Sequence, residues 1–207
     1  FTVSANEKAK SVSQVVIGND GKTVTLTLGE KVGHGQAVAI SYNGTMVRDA
    51  AGNKSSAFEN HVAENLTPDT TAPSLVSAKV DGDTVVLTYD EALDATVGLK
   101  AADFTVSANE KAKSVSQVVI GNDGKTVTLT LGEKVGHGQA VVINYKGLAI
   151  QDAAGNKAAS LASQAVENLT PDTTAPTLVS AKVDGDTVVL TYDEALDNKA
   201  ILQASDF

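Results

Sequence analysis

Gly121-Asn-Asp-Gly-Lys125 runs directly into Thr126-Val-Thr-Leu-Thr-Leu131. The first five residues are turn chemistry: Gly reaches positive φ without steric cost, and Asn and Asp bond their own backbone. The next six alternate with period two. Val127, Leu129 and Leu131 fall on one face and three threonines on the other, which is the pattern of a half-buried strand. A turn feeding such a strand predicts a hairpin, with Val115–Ile120 as its first arm.

The same grammar extends in both directions. Upstream, Leu75–Val80 and Thr84–Tyr89 read as strands joined by the tight turn Asp81-Gly-Asp83. Val85, Leu87 and Tyr89 share one face. A loop opened by Asp90-Glu-Ala-Leu-Asp94 runs to Asp103, and Phe104–Ala108 is a third strand. Downstream, the Gly-rich loop Gly132–Gln139 leads to a strand over Ala140–Tyr145, with Val141, Ile143 and Tyr145 inward. Asp152-Ala-Ala-Gly-Asn156 is a turn, and Ala158–Val166 is a weaker last strand. Seven short strands at regular spacing in about 100 residues predict an all-β fold, an immunoglobulin-like β-sandwich. The chain has no Cys and no Trp, so the antibody-type disulfide and its packed Trp are absent.

The unit is repeated. Phe1-Thr-Val-Ser-Ala-Asn-Glu-Lys-Ala-Lys returns at Phe104 and begins again at Phe207, a period of 103 residues. Asn65-Leu-Thr-Pro-Asp-Thr-Thr-Ala-Pro73 returns unchanged as Asn168 to Pro176. This segment has two prolines and no apolar period, the composition of a short, stiff, extended connector. A fixed period with a fixed joint is the signature of a tandem array. With the joint as boundary, residues 1–69 are the C-terminal part of one repeat, 70–172 a complete repeat, and 173–207 the N-terminal part of the next. The two end pieces would together make one unit. Either the chain is a window on a longer array, or its ends complete one another between chains, which would give an open head-to-tail fibre. The two copies differ mainly in two patches, Ala39–Arg48 against Val142–Gln151 and Ser55–Ala63 against Ala158–Val166.

Composition narrows the function classes. The apolar content of 42% allows a packed core, and its enrichment in Val, Leu, Ile and Thr favours strands. The net charge of −9 excludes a basic nucleic-acid footprint and fits solubility, repulsion between neighbours or divalent cations. No run of residues is long and apolar enough to span a bilayer as a helix. Ser and Thr fall at outward strand positions and acids fall in turns, so no nucleophile, base and orienting group are set together. The reading is non-enzymatic. Tyr42, Tyr89, Tyr145, Tyr192 and Phe104 alternate with core residues and read as core rather than as sugar-stacking platforms. His34 and His137 share one repeat position in a Gly-His-Gly loop, and one His per unit without Cys is a poor metal site.

The order APxLVSAKVDGDTVVLTYDEALD, DFTVS, DGKTVTLTL and I-x-D-AAGN resembles the immunoglobulin-like tandem repeats of bacterial S-layer proteins and giant surface adhesins. It is also similar to the long repeats of cyanobacterial swimming-motility surface proteins. The residues that carry the resemblance are Asp90, Glu91, Leu93, Asp94, Phe104, Asp152, Gly155 and Asn156. It covers the whole repeat. It implies an extracellular stalk or spacer at a bacterial surface, with neighbouring repeats as its partners and any glycan or cell-surface ligand bound through other regions.

On that topology several oxygens converge at the leading end of the unit: Asp69 from the joint, Asp90, Glu91, Asp94 and Asp103 from one loop, and Asp152 and Asn156 from another. Calcium takes about six to eight such oxygens, so this end is a candidate calcium site that would stiffen the joint. The competing reading is that these acids only cap turns. The second joint offers Asp172, Asp193, Glu194 and Asp197. A third possibility is a binding module, with the two varied patches lining a surface for a glycan or protein.

Overall fold

A computed structural model describes residues 1–199; the third start of the repeat at Phe207 and the end of the 173–207 piece lie outside the described residues. The strands are β1 (Thr2–Ala5), β2 (Lys8–Lys10), β3 (Val12–Ile17), β4 (Val24–Leu28), β5 (Val38–Tyr42), β6 (Phe58–Ala63), β7 (Leu75–Asp81), β8 (Thr84–Tyr89), β9 (Phe104–Ala108), β10 (Lys111–Lys113), β11 (Val115–Ile120), β12 (Thr126–Leu131), β13 (Val141–Tyr145), β14 (Leu161–Asn168), β15 (Leu178–Asp184) and β16 (Thr187–Tyr192). A 3-10 turn at Ala101–Asp103 precedes β9.

In the complete unit the strand order is β10-β9-β13-β14-β7-β8-β12-β11. All neighbours are antiparallel except β14 and β7, which run parallel with Glu167 opposite Lys79 and Asn168 opposite Val80. The parallel step divides the order into two layers, β7-β8-β12-β11 and β10-β9-β13-β14. With strands lettered along the chain, these are the A-B-E-D and C-F-G layers of an immunoglobulin-like sandwich, with β10 added at the edge of the second. The fold class follows the sequence reading.

The period-two pattern sets the core. Val85, Leu87 and Tyr89 from β8 and Val127, Leu129 and Leu131 from β12 are buried against Phe104, Val106 and Ala108 from β9 and Val141, Ile143 and Tyr145 from β13. The Phe104 and Tyr145 rings stack at 4.7 Å. The Tyr145 hydroxyl accepts from the backbone N–H of Ala149 and Ile150 at 2.9 and 2.8 Å, fixing the loop after β13. The turn before β12 is built as expected: Asp123 Oδ1 accepts from the N–H of Lys125 and Thr126 and from Thr126 Oγ1, while Gly124 takes φ +68°.

Two expectations need correction. The last strand is Leu161–Asn168, not Ala158–Val166. Residues before it close the preceding loop, with Gln151 bridged to Lys157 and Ala158 N bonded to Ile150 O. The strand continues past Val166 because its end finds β7. The sequence reading also missed β10. Asn109 and Glu110 both take positive φ, 47° and 64°, which is how a two-residue hairpin turn closes β9 on β10. Asn-Glu is a weaker turn signal than Asn-Gly.

The end pieces hold unequal parts of the same sandwich. Residues 1–69 hold the sheet β2-β1-β5-β6 and the hairpin β3-β4, and the last piece holds the hairpin β15-β16.

Candidate metal centre at the joint

The joint is held from both sides. On the side of the preceding unit, Asn65 Nδ2 donates to the carbonyls of Gly33 and Gln36 at 2.8 and 2.9 Å, and its Oδ1 accepts from Thr67 N. His34 Nδ1 donates to Thr67 O at 3.0 Å, and its Nε2 lies 3.7 Å from Asp69 Oδ2. Asn168, Thr170 and His137 repeat the arrangement one unit later. The Gly-His-Gly loop is therefore a clasp on the connector.

On the side of the following unit, Asn156 Nδ2 donates to Asp69 O at 3.2 Å, Pro73 is buried, and Ser74 N donates to Asp90 Oδ1 at 2.8 Å. Asp69 Oδ1 accepts from Thr71 N. Between the two clasps the chain has little freedom left, since Pro68 already fixes its own φ.

Of the seven acids and amides expected at this end, the structure brings three carboxylates together. One oxygen each from Asp69, Glu91 and Asp152 lie within 4.8 Å of one another. Asn156 borders the group as the donor to Asp152 and Asp69. The other three lie outside this group, and Asp90 and Asp94 make side-chain bonds of their own. Asp90 caps Ser74. Asp94 accepts from Thr96 N and Oγ1 at 2.9 and 2.6 Å. The Asp103 carbonyl accepts from Lys146 N.

The three carboxylates differ in character. Asp152 is 3% exposed. Burial works against its charge, but bonds from the Asn156 side chain and backbone and from the N–H groups of Ala154 and Gly155 outweigh it and hold its carboxyl below the ordinary aspartate range. Glu91 is shifted the other way. Burial pushes its carboxyl up, and the nearby charges of Asp69, Asp152 and Asp90 add to the shift. Its Oε1 is buried with no hydrogen-bond partner. A buried carboxylate oxygen without a donor, facing two more carboxylates, is an arrangement that costs stability unless a proton or a cation joins it.

At the second joint Glu194 matches Glu91 in both respects: burial and the charges of Asp172 and Asp193 push it up, and its Oε1 is buried and has no partner among the described residues. Asp193 Oδ1 accepts from Thr177 N and Asp197 Oδ1 from Lys199 N, so these two are engaged as Asp90 and Asp94 are. Sequence reasoning found the acids but missed the clasp. Asn65 and His34 could have been picked out because both recur at one phase of the repeat beside the connector.

Residues 1–46, 68–149 and 171–207 match a family model described as "Putative flagellar system-associated repeat". The chain belongs to this repeat family. Each matched stretch of the flagellar system-associated repeat after the first opens inside the connector, at Pro68 and Pro171. No curated protein matches the chain. Among solved structures it is similar to the N-terminal part of the bacterial S-layer protein SbsC, at 18% identity and TM-score 0.41 over 54% of this chain and 26% of that one. It is similar also to SbsC domains 1–6, at 18% identity and TM-score 0.41 over 55% of this chain and 16% of that one. The chain thus spans about a quarter or less of the length of these proteins.

Proposed function

We propose that this chain is a length of non-enzymatic structural stalk in a large bacterial surface or secreted protein, and that calcium bound at the joints stiffens it. The observation that carries the reading is the connector itself, clasped by Asn65 and His34 behind and by Asn156 and buried Pro73 ahead. A connector built this way transmits orientation from one sandwich to the next.

Asp69, Glu91 and Asp152 would hold the cation, with backbone carbonyls and water completing the six to eight oxygens calcium takes. The orphaned Glu91 Oε1 supports this assignment, and so does its recurrence at Glu194. The extracellular location is part of the proposal and rests on the repeat family and the S-layer resemblance.

Small-angle scattering of a chain with several repeats, with calcium and with chelator, tests the reading. A rod in both conditions, longer or straighter with calcium, is expected. A compact particle would rule out the stalk, and identical rods in both conditions would rule out calcium as the stiffener.

A second reading is a filament in which chains join through unit halves. A glycan- or protein-binding role through the varied patches is a third; on β5 and β6 these place Ala39, Ser41 and Val62 off the core, with Val62 77% exposed.

A further inference from the structure

We propose that the joint also takes a zinc-class divalent cation, with His34 of the preceding unit as a ligand beside Asp69, Glu91 and Asp152. The inference rests on the reading of this joint as a cation site. It goes beyond that reading by naming a second metal chemistry and the residue that selects for it.

One imidazole per unit, with no Cys, makes no metal site inside a unit. The fold changes this by bringing the imidazole of one unit to the carboxylates of the next. His34 stands in the loop before β5, Asp69 in the connector, Glu91 after β8 and Asp152 after β13. His34, Asp69 and Glu91 line one groove at the joint, together with Ala153 and Ala154. The His34 side chain is 56% exposed, so an ion has a path in from solvent.

The tautomer is the deciding observation. A carbonyl oxygen only accepts, so the 3.0 Å contact of His34 Nδ1 with Thr67 O puts a hydrogen on Nδ1. In the neutral ring Nε2 then carries a lone pair, and it lies 3.7 Å from Asp69 Oδ2. Two acceptors side by side attract only when a cation joins them. A histidine whose other nitrogen donates to a backbone carbonyl is in the usual state of a metal ligand, because the outer bond fixes ring orientation and tautomer. On a tetrahedral zinc ion with bonds of about 2.1 Å, neighbouring ligand atoms stand about 3.4 Å apart. The separation of His34 and Asp69 is close to that. Asp69 uses Oδ1 on Thr71 N, which leaves Oδ2 for the ion, and Glu91 Oε1 has no partner among the described residues. The arrangement recurs at the second joint, where His137 Nδ1 lies 3.0 Å from Thr170 O and Glu194 Oε1 is again unpartnered among the described residues.

The two cations would use the site differently. Calcium is bound by oxygens, whereas imidazole suits zinc and the neighbouring transition metals. Calcium at Asp69, Glu91 and Asp152 ties the connector to the following unit alone. Zinc ties in the preceding unit as well, through His34.

The test is calorimetric titration of zinc chloride into the chelator-stripped 207-residue chain carrying His61→Gln and His137→Gln, which leaves His34 as the one imidazole. Thermal melts with calcium chloride run beside it, and melts without metal report that each variant is folded. Saturable zinc binding is expected. His34→Gln should weaken it by about tenfold or more and leave the calcium shift in melting temperature unchanged. Glu91→Gln should weaken zinc binding and reduce the calcium shift together. Zinc binding that survives His34→Gln at full strength overturns the inference, as does a failure of zinc to bind where calcium does; both leave the calcium reading standing. Zinc binding that needs His34, with no response to calcium, supports the inference and overturns calcium as the stiffener. No response to either ion overturns both.

Discussion

Glu91→Gln should stabilise the central unit without calcium and weaken its stabilisation by calcium. The oxygens of Glu91, Asp69 and Asp152 lie within 4.8 Å of one another. A charge at that distance from Glu91 repels it by about 0.9 kcal/mol in a medium as polar as water and about 3.5 kcal/mol at an effective dielectric constant of about 20. Glu91 is half-buried, so the lower figure is the better guide, and removing its charge relieves about 1 kcal/mol or more. For a domain of about 100 residues that raises the melting temperature by about 4–8 °C. The sign with pH follows. The Glu91 carboxyl is raised in the folded state, so its penalty is fully present above the folded value and disappears as pH falls below the ordinary value of 4.5. The calcium-free wild type should therefore gain on the variant when acidified from neutral pH toward pH 5.

With calcium that advantage should be lost. A ligand at a hundred times its dissociation constant stabilises by about 2.7 kcal/mol, or about 10–20 °C here. Losing one of three carboxylates, at tenfold in affinity, takes about 1.4 kcal/mol off that gain. Thermal melts followed by circular dichroism, in chelator and across a calcium titration, read both effects. The reasoning is refuted if the variant melts lower than wild type in chelator, or if calcium moves wild type and variant by the same amount.

Three further outcomes are expected. Asn168→Ala removes the bonds to the carbonyls of Gly136 and Gln139 and should cost about 1 kcal/mol; scattering should show a more bent chain, because the connector is then released from the unit behind it. Leu129→Ala should destabilise the central unit by about 2–5 kcal/mol, since Leu129 is fully buried, while Leu26→Ala at the same phase of the repeat should leave that unit's melt unchanged. Asp123→Ala should lower the melting temperature at neutral pH and lose its effect in acid. The bond from Lys125 N, then those from Thr126, hold the Asp123 carboxyl below its ordinary 3.8, so its contribution exists above that value and vanishes as pH falls through the depressed one.

The sandwich was legible because its determinants are local. Thr84–Tyr89 and Thr126–Leu131 alternate with period two, and each is preceded by a turn whose residues allow only a tight reversal. The end of β14 was not legible, because what extends it to Asn168 is a parallel partner, Lys79–Val80, lying far back in the sequence. The same holds at the site. Asp-Ala-Ala-Gly-Asn is recognisable as a turn, and Asp152 does bond Asn156 as such a turn requires. That the same turn also reaches Asp69 O depends on how two units meet, and no pattern within one unit encodes that. The seven candidates could be assigned to one end of the unit, but side-chain direction separated Asp69, Glu91 and Asp152 from Asp90, Asp94 and Asp103.

Direction passes through the joint because the connector is scarcely a separate element. Strand β14 runs to Asn168, the residue that the Gly-His-Gly loop clasps, and its parallel neighbour β7 opens only two residues after Pro73 at the equivalent joint. The last strand of one sandwich therefore becomes the first strand of the next across a handful of residues, two of them proline. Each clasp uses groups from loops of the flanking units, Gly33 and Gln36 behind and Asn156 ahead, so bending the joint must break bonds to those units rather than merely rotate the connector. A cation shared by Asp69, Glu91 and Asp152 would add a cross-link at the same point, between the connector and two loops of the following unit. Stiffness thus has a covalent part in Pro68 and Pro73 and a hydrogen-bonded part in the clasps; the proposed calcium would add an ionic part, and only that part should respond to chelator.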